Sequence, residues 1–223
     1  MKPEVIVALD TTDRDRINKL IESLGDRVSY YKIGYIPFYT FGWEIVDYLN
    51  NIGKKVMLDL KLDDIPNTVE GAIRIILTHN PEFVTIHSSV GKNALIKARE
   101  IANKKTKLLG ITILTSLNEE DLKVTGILGD LRESVLKRAR LCKEAGLSGV
   151  VASVDETGLI KEELGKDFIV ITPGIRIEKT EDDQKRAATY REAKSKGVDF
   201  VVIGRPIYNA QDPLGVIERL MEE

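Results

Sequence analysis

The sequence predicts an α/β protein of the (β/α)8 class, a TIM barrel, in one domain over residues 1–223. Three observations carry that expectation: eight short β-branched runs recur, longer amphipathic segments separate them, and 223 residues of 43% hydrophobic content suit one compact core. The runs are VIVAL (5–9), SYYKIG (29–34), KKVMLDL (54–60), FVTIH (83–87), KLLGITI (107–113), GVVAS (149–153), FIVIT (168–172) and FVVIG (200–204). Most are nearly continuous apolar stretches, as strands covered on both faces must be. Between them DRDRINKLIESLG (13–25), VEGAIRIILTHN (69–80), NALIKAREIANK (93–104) and RESVLKRARLCKEAG (132–146) space apolar residues three and four apart, which predicts helices. A doubly wound open sheet is the alternative architecture. It calls for a glycine-rich phosphate turn after its first strand, where this chain has ALDTTD (8–13). The longest irregular segment is expected at GIRIEKTEDDQKR (174–186). Following the seventh strand, it stands where a barrel carries an active-site lid, although its composition alone describes a solvated surface loop.

Composition narrows the function classes. Basic and acidic side chains nearly cancel, 33 against 35, so no global field favours nucleic acid or an anionic membrane, and phosphate recognition has to be local. No stretch approaches the roughly 20 apolar residues of a membrane span. The opening MKPEVIVALD has too short an apolar run for a signal peptide, and the single cysteine, Cys142, has no partner for an internal disulfide. A cytoplasmic protein is the expectation, with Cys142 packed on a helix.

Barrel enzymes gather their reactive groups at the carboxyl ends of the strands. Charged residues recur there: Asp10 after the first run, Lys32 late in the second, Asp59 and Lys61 at the end of the third, then Asp64. Any one of these alone reads as a structural ion pair or strand-end cap, since a buried charge needs a partner. Five at the ends of three consecutive strands point instead to a ligand. In a regular strand residues two apart share a side, so Asp59 and Lys61 are expected on one face. With Lys32 from the neighbouring strand they are expected to form an alternating array of cations and carboxylate, extended by Asp64 if another segment brings it near, which fixes charge before a substrate arrives. His87 reads as a strand-end structural residue. Trp43 and Tyr39, in PFYTFGWEIVDYL (37–49), read as packing a helix against the barrel or a neighbour.

The run LDLKLDDIPNT (58–68) resembles the D-x-K-x-x-D signature of orotidine 5'-monophosphate decarboxylases, with Asp59, Lys61 and Asp64 on its three fixed positions and Ile65-Pro66-Asn67-Thr68 continuing it. The likeness runs the length of the chain: ALD (8–10), YKIG (31–34), TIH (85–87), ILTS (113–116), TPGIR (172–176), DQKR (183–186) and VIGRPI (202–207) follow in order, in a pattern similar to the bacterial enzymes. It departs at SSVG (88–91) and at Thr189-Tyr190. The resemblance implies a homodimer that decarboxylates orotidine 5'-monophosphate to uridine 5'-monophosphate without cofactor or metal. It implies that Lys61 protonates C6, that Asp59 sits against the departing carboxylate, and that Lys32 and Asp64 complete a tetrad to which Asp64 comes from the other subunit. Asp10 and Lys32 are implied to meet ribose hydroxyls, with Thr68 contributing across the interface, and Thr115 the pyrimidine. Arg176, Gln184, Gly204 and Arg205 are implied to hold the phosphate, with Ile65 and Pro173 as further substrate contacts.

Two other readings compete. Magnesium-dependent 3-keto-L-gulonate 6-phosphate decarboxylases and hexulose 6-phosphate synthases resemble the same barrel and share D-x-K-x-x-D, but carry a carboxylate where this chain has Lys32, which exchanges a metal ligand for a cation. A non-catalytic nucleotide-binding barrel is expected to have lost Lys61 or Asp59, and both are present.

Overall fold

A computed structural model describes residues 2–127, 129–176 and 188–222. Among the described residues ten strands are formed: β1 (Glu4–Ala8), β2 (Tyr30–Ile33), β3 (Lys55–Leu62), β4 (Phe83–His87), β5 (Lys107–Ile111), β6 (Gly149–Val151), β7 (Ile169–Pro173), β8 (Ile175–Arg176), β9 (Ala188–Thr189) and β10 (Phe200–Ile203). Eight close into a barrel in the order β1-β10-β7-β6-β5-β4-β3-β2, every pairing parallel. Each coincides with one of the eight runs to within two residues, and closure rules out the open sheet. The remaining pair, β8 with β9, shows that the expected irregular stretch at 174–186 begins as strand. Residues 177–187, including Gln184, lie outside the described residues.

Alternation along the strands divides the apolar residues into two cores. Ile6, Ala8, Tyr30, Met57, Phe83, Leu109, Ile171 and Val202 fill the barrel interior. At its amino-terminal end the rings of Tyr30, Phe83 and Phe200 meet with centroids 5.1–6.0 Å apart, closing the floor. The outward residues, among them Val5, Val7, Tyr31, Ile33, Val56 and Leu58, pack under the helices in a continuous outer core. Cys142 is buried in that layer as expected, and burial pushes its thiol up to about 12.

Local signals set the helix ends. Asp13 accepts from the Arg16 amide to cap helix Arg14–Leu24, and Asn118, Ser153 and Thr189 each form capping boxes. Helix Pro66–Thr78 begins three residues before the expected VEGAIRIILTHN segment, because proline is preset for the first helical turn and needs no partner for a missing N–H. Ile65 ahead of it is extended, at ψ 155°, as the residue before proline must be. The strand-to-helix turn at Leu62–Pro66 is thereby written in the local sequence. Trp43 packs as expected, stacking on His79 at 4.1 Å and meeting Phe38 edge-on, whereas Tyr39 stays 79% exposed against Tyr35.

Candidate active site

Counting upward by twos from the interior core reaches the charged residues. Ile6 and Ala8 lead to Asp10, Tyr30 to Lys32, Met57 to Asp59, Ile171 to Pro173, and Val202 to Gly204; all five endpoints line one cavity of about 510 Å3 at the carboxyl end of the barrel. Lys61, Thr115, Arg176 and Arg205 line it too. Asp64, Ile65 and Thr68 do not: Asp64 and Ile65 follow β3 onto an exposed turn, where the Asp64 carboxylate accepts from the Ile65 amide at 2.6 Å and Ile65 is 67% exposed, and Thr68 is exposed in the first turn of helix Pro66–Thr78. Nine of the predicted positions are therefore gathered, three stand outside this cavity, and Gln184 is not described.

The gathered charges form a continuous alternating chain. Asp10 Oδ1 lies 2.9 Å from Lys32 Nζ, Lys32 Nζ 3.9 Å from Asp59 Oδ2, and Asp59 Oδ2 2.8 Å from Lys61 Nζ. Asp59 is 7% exposed, which carries a heavy desolvation cost unless partners surround it, and two ammonium groups and a hydroxyl do so. Within one chain Asp10 ends the array on the Lys32 side, and this chain's own Asp64 stands outside it, as it must if the tetrad's fourth member comes from another subunit.

The meeting of Asp59 and Lys61 does not rest on plain strand alternation. Pairing of β3 with β4 shifts register between Leu58, opposite Val84, and Leu62, opposite Ile86, so four residues of β3 advance against two of β4. Lys61 sits in this bulge at φ 44°, a left-handed conformation that costs a non-glycine residue about 1–3 kcal/mol. Its amide donates to Thr85 Oγ1 at 2.9 Å rather than to a backbone carbonyl, and Thr85 Oγ1 donates to Asp59 Oδ1 at 3.0 Å. On the other side the Tyr35 hydroxyl donates to the Leu60 carbonyl, its ring 5.7 Å from Lys61 Nζ. Desolvation, followed by the Asp59 carboxylate, raises the Tyr35 hydroxyl above its ordinary value.

Sequence reasoning missed Thr85, Tyr35 and Gly34. The first two carry no charge at neutral pH, and their parts depend on cross-strand neighbours. Gly34 leaves the charged pair its space, since a Cβ there would lie 2.9 Å from Lys32 Nζ and 3.3 Å from Asp10 Oδ1. Gly174, at φ 80°, makes the turn between β7 and β8 that sends Arg176 back to the cavity. His87 faces the β3 turn: its Nδ1 accepts from the Ser89 amide at 3.3 Å, and Ser89 Oγ donates to Asp63 at 3.0 Å.

A family model described as "Orotidine 5'-phosphate decarboxylase / HUMPS family" matches residues 3–220. The orotidine 5'-phosphate decarboxylase of Carboxydothermus hydrogenoformans is 41% identical, covering 100% of this chain and 96% of the relative, and that of Streptococcus sanguinis is 43% identical over 93% and 92%. Among solved structures, the orotidine 5'-phosphate decarboxylase of Lactobacillus acidophilus superposes with a TM-score of 0.86 at 33% identity, covering 99% of this chain and 98% of that one. The orotidine 5'-monophosphate decarboxylase of Methanocaldococcus jannaschii, complexed with the inhibitor BMP, gives 0.81 at 25% identity, covering 100% and 98%. With its barrel, its charged cavity and this full-length likeness, the chain belongs to the orotidine 5'-phosphate decarboxylase / HUMPS family.

Proposed function

We propose that this protein decarboxylates orotidine 5'-monophosphate to uridine 5'-monophosphate and carbon dioxide, as the last step of UMP synthesis, by direct stabilisation of a C6 carbanion. The observation that carries this reading is the chain of alternating charges from Asp10 through Lys32 and Asp59 to Lys61 within a single cavity. When the bond from C6 to the carboxylate breaks, the electron pair stays on C6 and the ring stabilises it poorly. Fixed cations beside that carbon supply the missing stabilisation without reorganising, and one well-placed donor is worth about 3 kcal/mol. Lys61 Nζ then delivers a proton to C6, while Asp59 holds the ammonium in place and faces the departing carboxylate. Repulsion between those two carboxylates adds to the driving force. The scheme draws on no electron sink beyond the protein's own charges.

The remaining contacts divide by chemistry. Asp10 and Lys32 are assigned to ribose hydroxyls, Thr115 to the pyrimidine, and Pro173 to the wall beside it. Arg176, Arg205 and Gly204, with Gln184, are assigned to the phosphate: guanidinium groups match its geometry, and a glycine lets a backbone N–H approach. Phosphate binding remote from C6 is then available to favour the transition state. Lys32 within 4 Å of both Asp10 and Asp59 puts a cation where a magnesium-dependent relative needs a ligand, which favours this reading over that one.

A cytoplasmic homodimer with composite sites is part of this reading, and an apolar surface beside the cavity supports the homodimer. Tyr35, Ile36, Tyr39 and Ile65 are exposed apolar side chains; Ile36 lines the cavity, and Ile65 follows Asp64 directly. A two-fold partner seated there covers them and brings its own Asp64, Ile65 and Thr68 to this site. Among the described residues no helix is long and apolar enough to cross a membrane.

The test is direct. Purified protein with orotidine 5'-monophosphate and a chelator should show the loss of pyrimidine absorbance. Lys61→Ala should abolish it while keeping the parent's circular dichroism, because a general acid alone contributes about 10²–10⁴ in rate and the electrostatic role adds to that. Turnover that needs magnesium would move the reading to the metal-dependent relatives. Lys61→Ala within tenfold of the parent would remove Lys61 from its role.

A further inference from the structure

Thr85 lies at the one place where β3 and β4 fall out of register. The shift leaves the Lys61 amide facing a side chain instead of a ladder carbonyl, and the residue it faces is fully buried, at 0% exposure. A threonine hydroxyl has one proton to give and lone pairs to receive. Here both capacities are spent on β3: Oγ1 accepts from Lys61 N at 2.9 Å and donates to Asp59 Oδ1 at 3.0 Å. The same small group thus holds the backbone of one member of the charged pair and the carboxylate of the other.

We propose that Thr85 is a positioning residue for the reaction, a clamp that sets the orientation of the Asp59–Lys61 pair from across the β3–β4 seam. The inference rests on the decarboxylase reading. Tying Oδ1 to Thr85 fixes the rotation of the carboxylate, so that Oδ2 is the oxygen presented to Lys61 at 2.8 Å and to Lys32 at 3.9 Å. Holding the Lys61 amide maintains the left-handed backbone from which its side chain reaches the cavity. Without the hydroxyl, the carboxylate turns about its last side-chain bond and the bulge loses its anchor. The phosphate and ribose contacts, carried by other strands, are left in place. The consequence belongs to the chemical step and not to nucleotide binding.

Thr85→Val keeps the β-branch and volume but removes the hydroxyl; Thr85→Ser keeps the hydroxyl. The valine variant is expected to lower kcat by about 10–100-fold, the scale set by small misplacements of reacting groups, with its affinity for uridine 5'-monophosphate within about threefold of the parent. The serine variant is expected within about fivefold of the parent in both. A valine variant whose kcat stays within threefold, or whose nucleotide affinity falls in step with kcat, overturns the clamp. If valine prevents folding, Thr85→Ala, which leaves room instead of crowding, is measured against the same limits. A parent and serine variant that are both inert on orotidine 5'-monophosphate overturn the decarboxylase reading itself, whereas an active parent with an equally active valine variant overturns only the role of Thr85.

Discussion

Gly34 shows how a single residue without a side chain shapes the charged array. Its backbone, at φ −97°, is open to any residue, so conformational freedom is not the reason for glycine. Space is: an added Cβ would meet Lys32 Nζ at 2.9 Å and Asp10 Oδ1 at 3.3 Å. The cheapest relief is to swing the far end of Lys32 away, which leaves the fold intact and displaces an ammonium from the array. Gly34→Ala is therefore expected to shift the thermal midpoint by no more than a few degrees, equivalent to about 1 kcal/mol or less, yet to lower kcat/KM by tenfold or more. Loss of stability in proportion to loss of activity would show that Gly34 serves packing instead.

At the scale of an element, the turn after β3 is held from β4. Asp63 accepts from Ser89 Oγ, and Ser89 Oγ and N both contact His87 Nδ1, so the turn that carries Asp64 is tied to the end of the next strand. The His87 ring accepts the Ser89 amide, and burial, the largest cause, pulls it below its ordinary value of 6.5; Asp63 opposes that pull, while Arg138 and Lys61 add to it. A histidine depressed in the folded state favours the neutral form. Its contribution is complete above its unfolded value near 6.5 and is lost as pH falls from there through the lower folded value. Urea unfolding of the parent and of His87→Asn, followed from neutral into mildly acidic buffer, should give difference curves in which the parent loses more stability than the variant below pH 6.5. Parallel curves would remove His87 as the source.

At the scale of the whole molecule, the proposed composite site makes a prediction that no monomeric site shares. Asp59 and Lys61 line this chain's cavity, while Asp64, three residues after Lys61, stands outside that lining on an exposed turn. Inactive Lys61→Ala chains mixed with inactive Asp64→Ala chains, under conditions that allow exchange, should form heterodimers with one doubly damaged site and one intact site. Activity should recover towards about a quarter of the parent value, since random assortment makes half the dimers mixed and half of their sites whole. A mixture shown by mass spectrometry to hold heterodimers and still inactive would return Asp64 to its own chain.

Strand runs and helix periodicity are local properties and were legible in the sequence, whereas the helix after β3 starts at Pro66, three residues before the periodic segment that announced it. So was the placing of Asp10, Lys32 and Asp59, because period-two alternation from an apolar interior carries upward to the barrel mouth without knowledge of neighbours. Alternation put Lys61 on the face of Asp59, and the two do meet, but through a bulge that interrupts that alternation. Only the tertiary structure decided that Asp10 rather than Asp64 ends the array within one chain, that Gly34 is glycine for want of space, and that Thr85 joins Asp59 to Lys61. The physical reason is common to all three: each depends on which residue lies opposite across a closed barrel, and register between strands well separated in the chain is set by the packing of the whole sheet rather than by either strand alone.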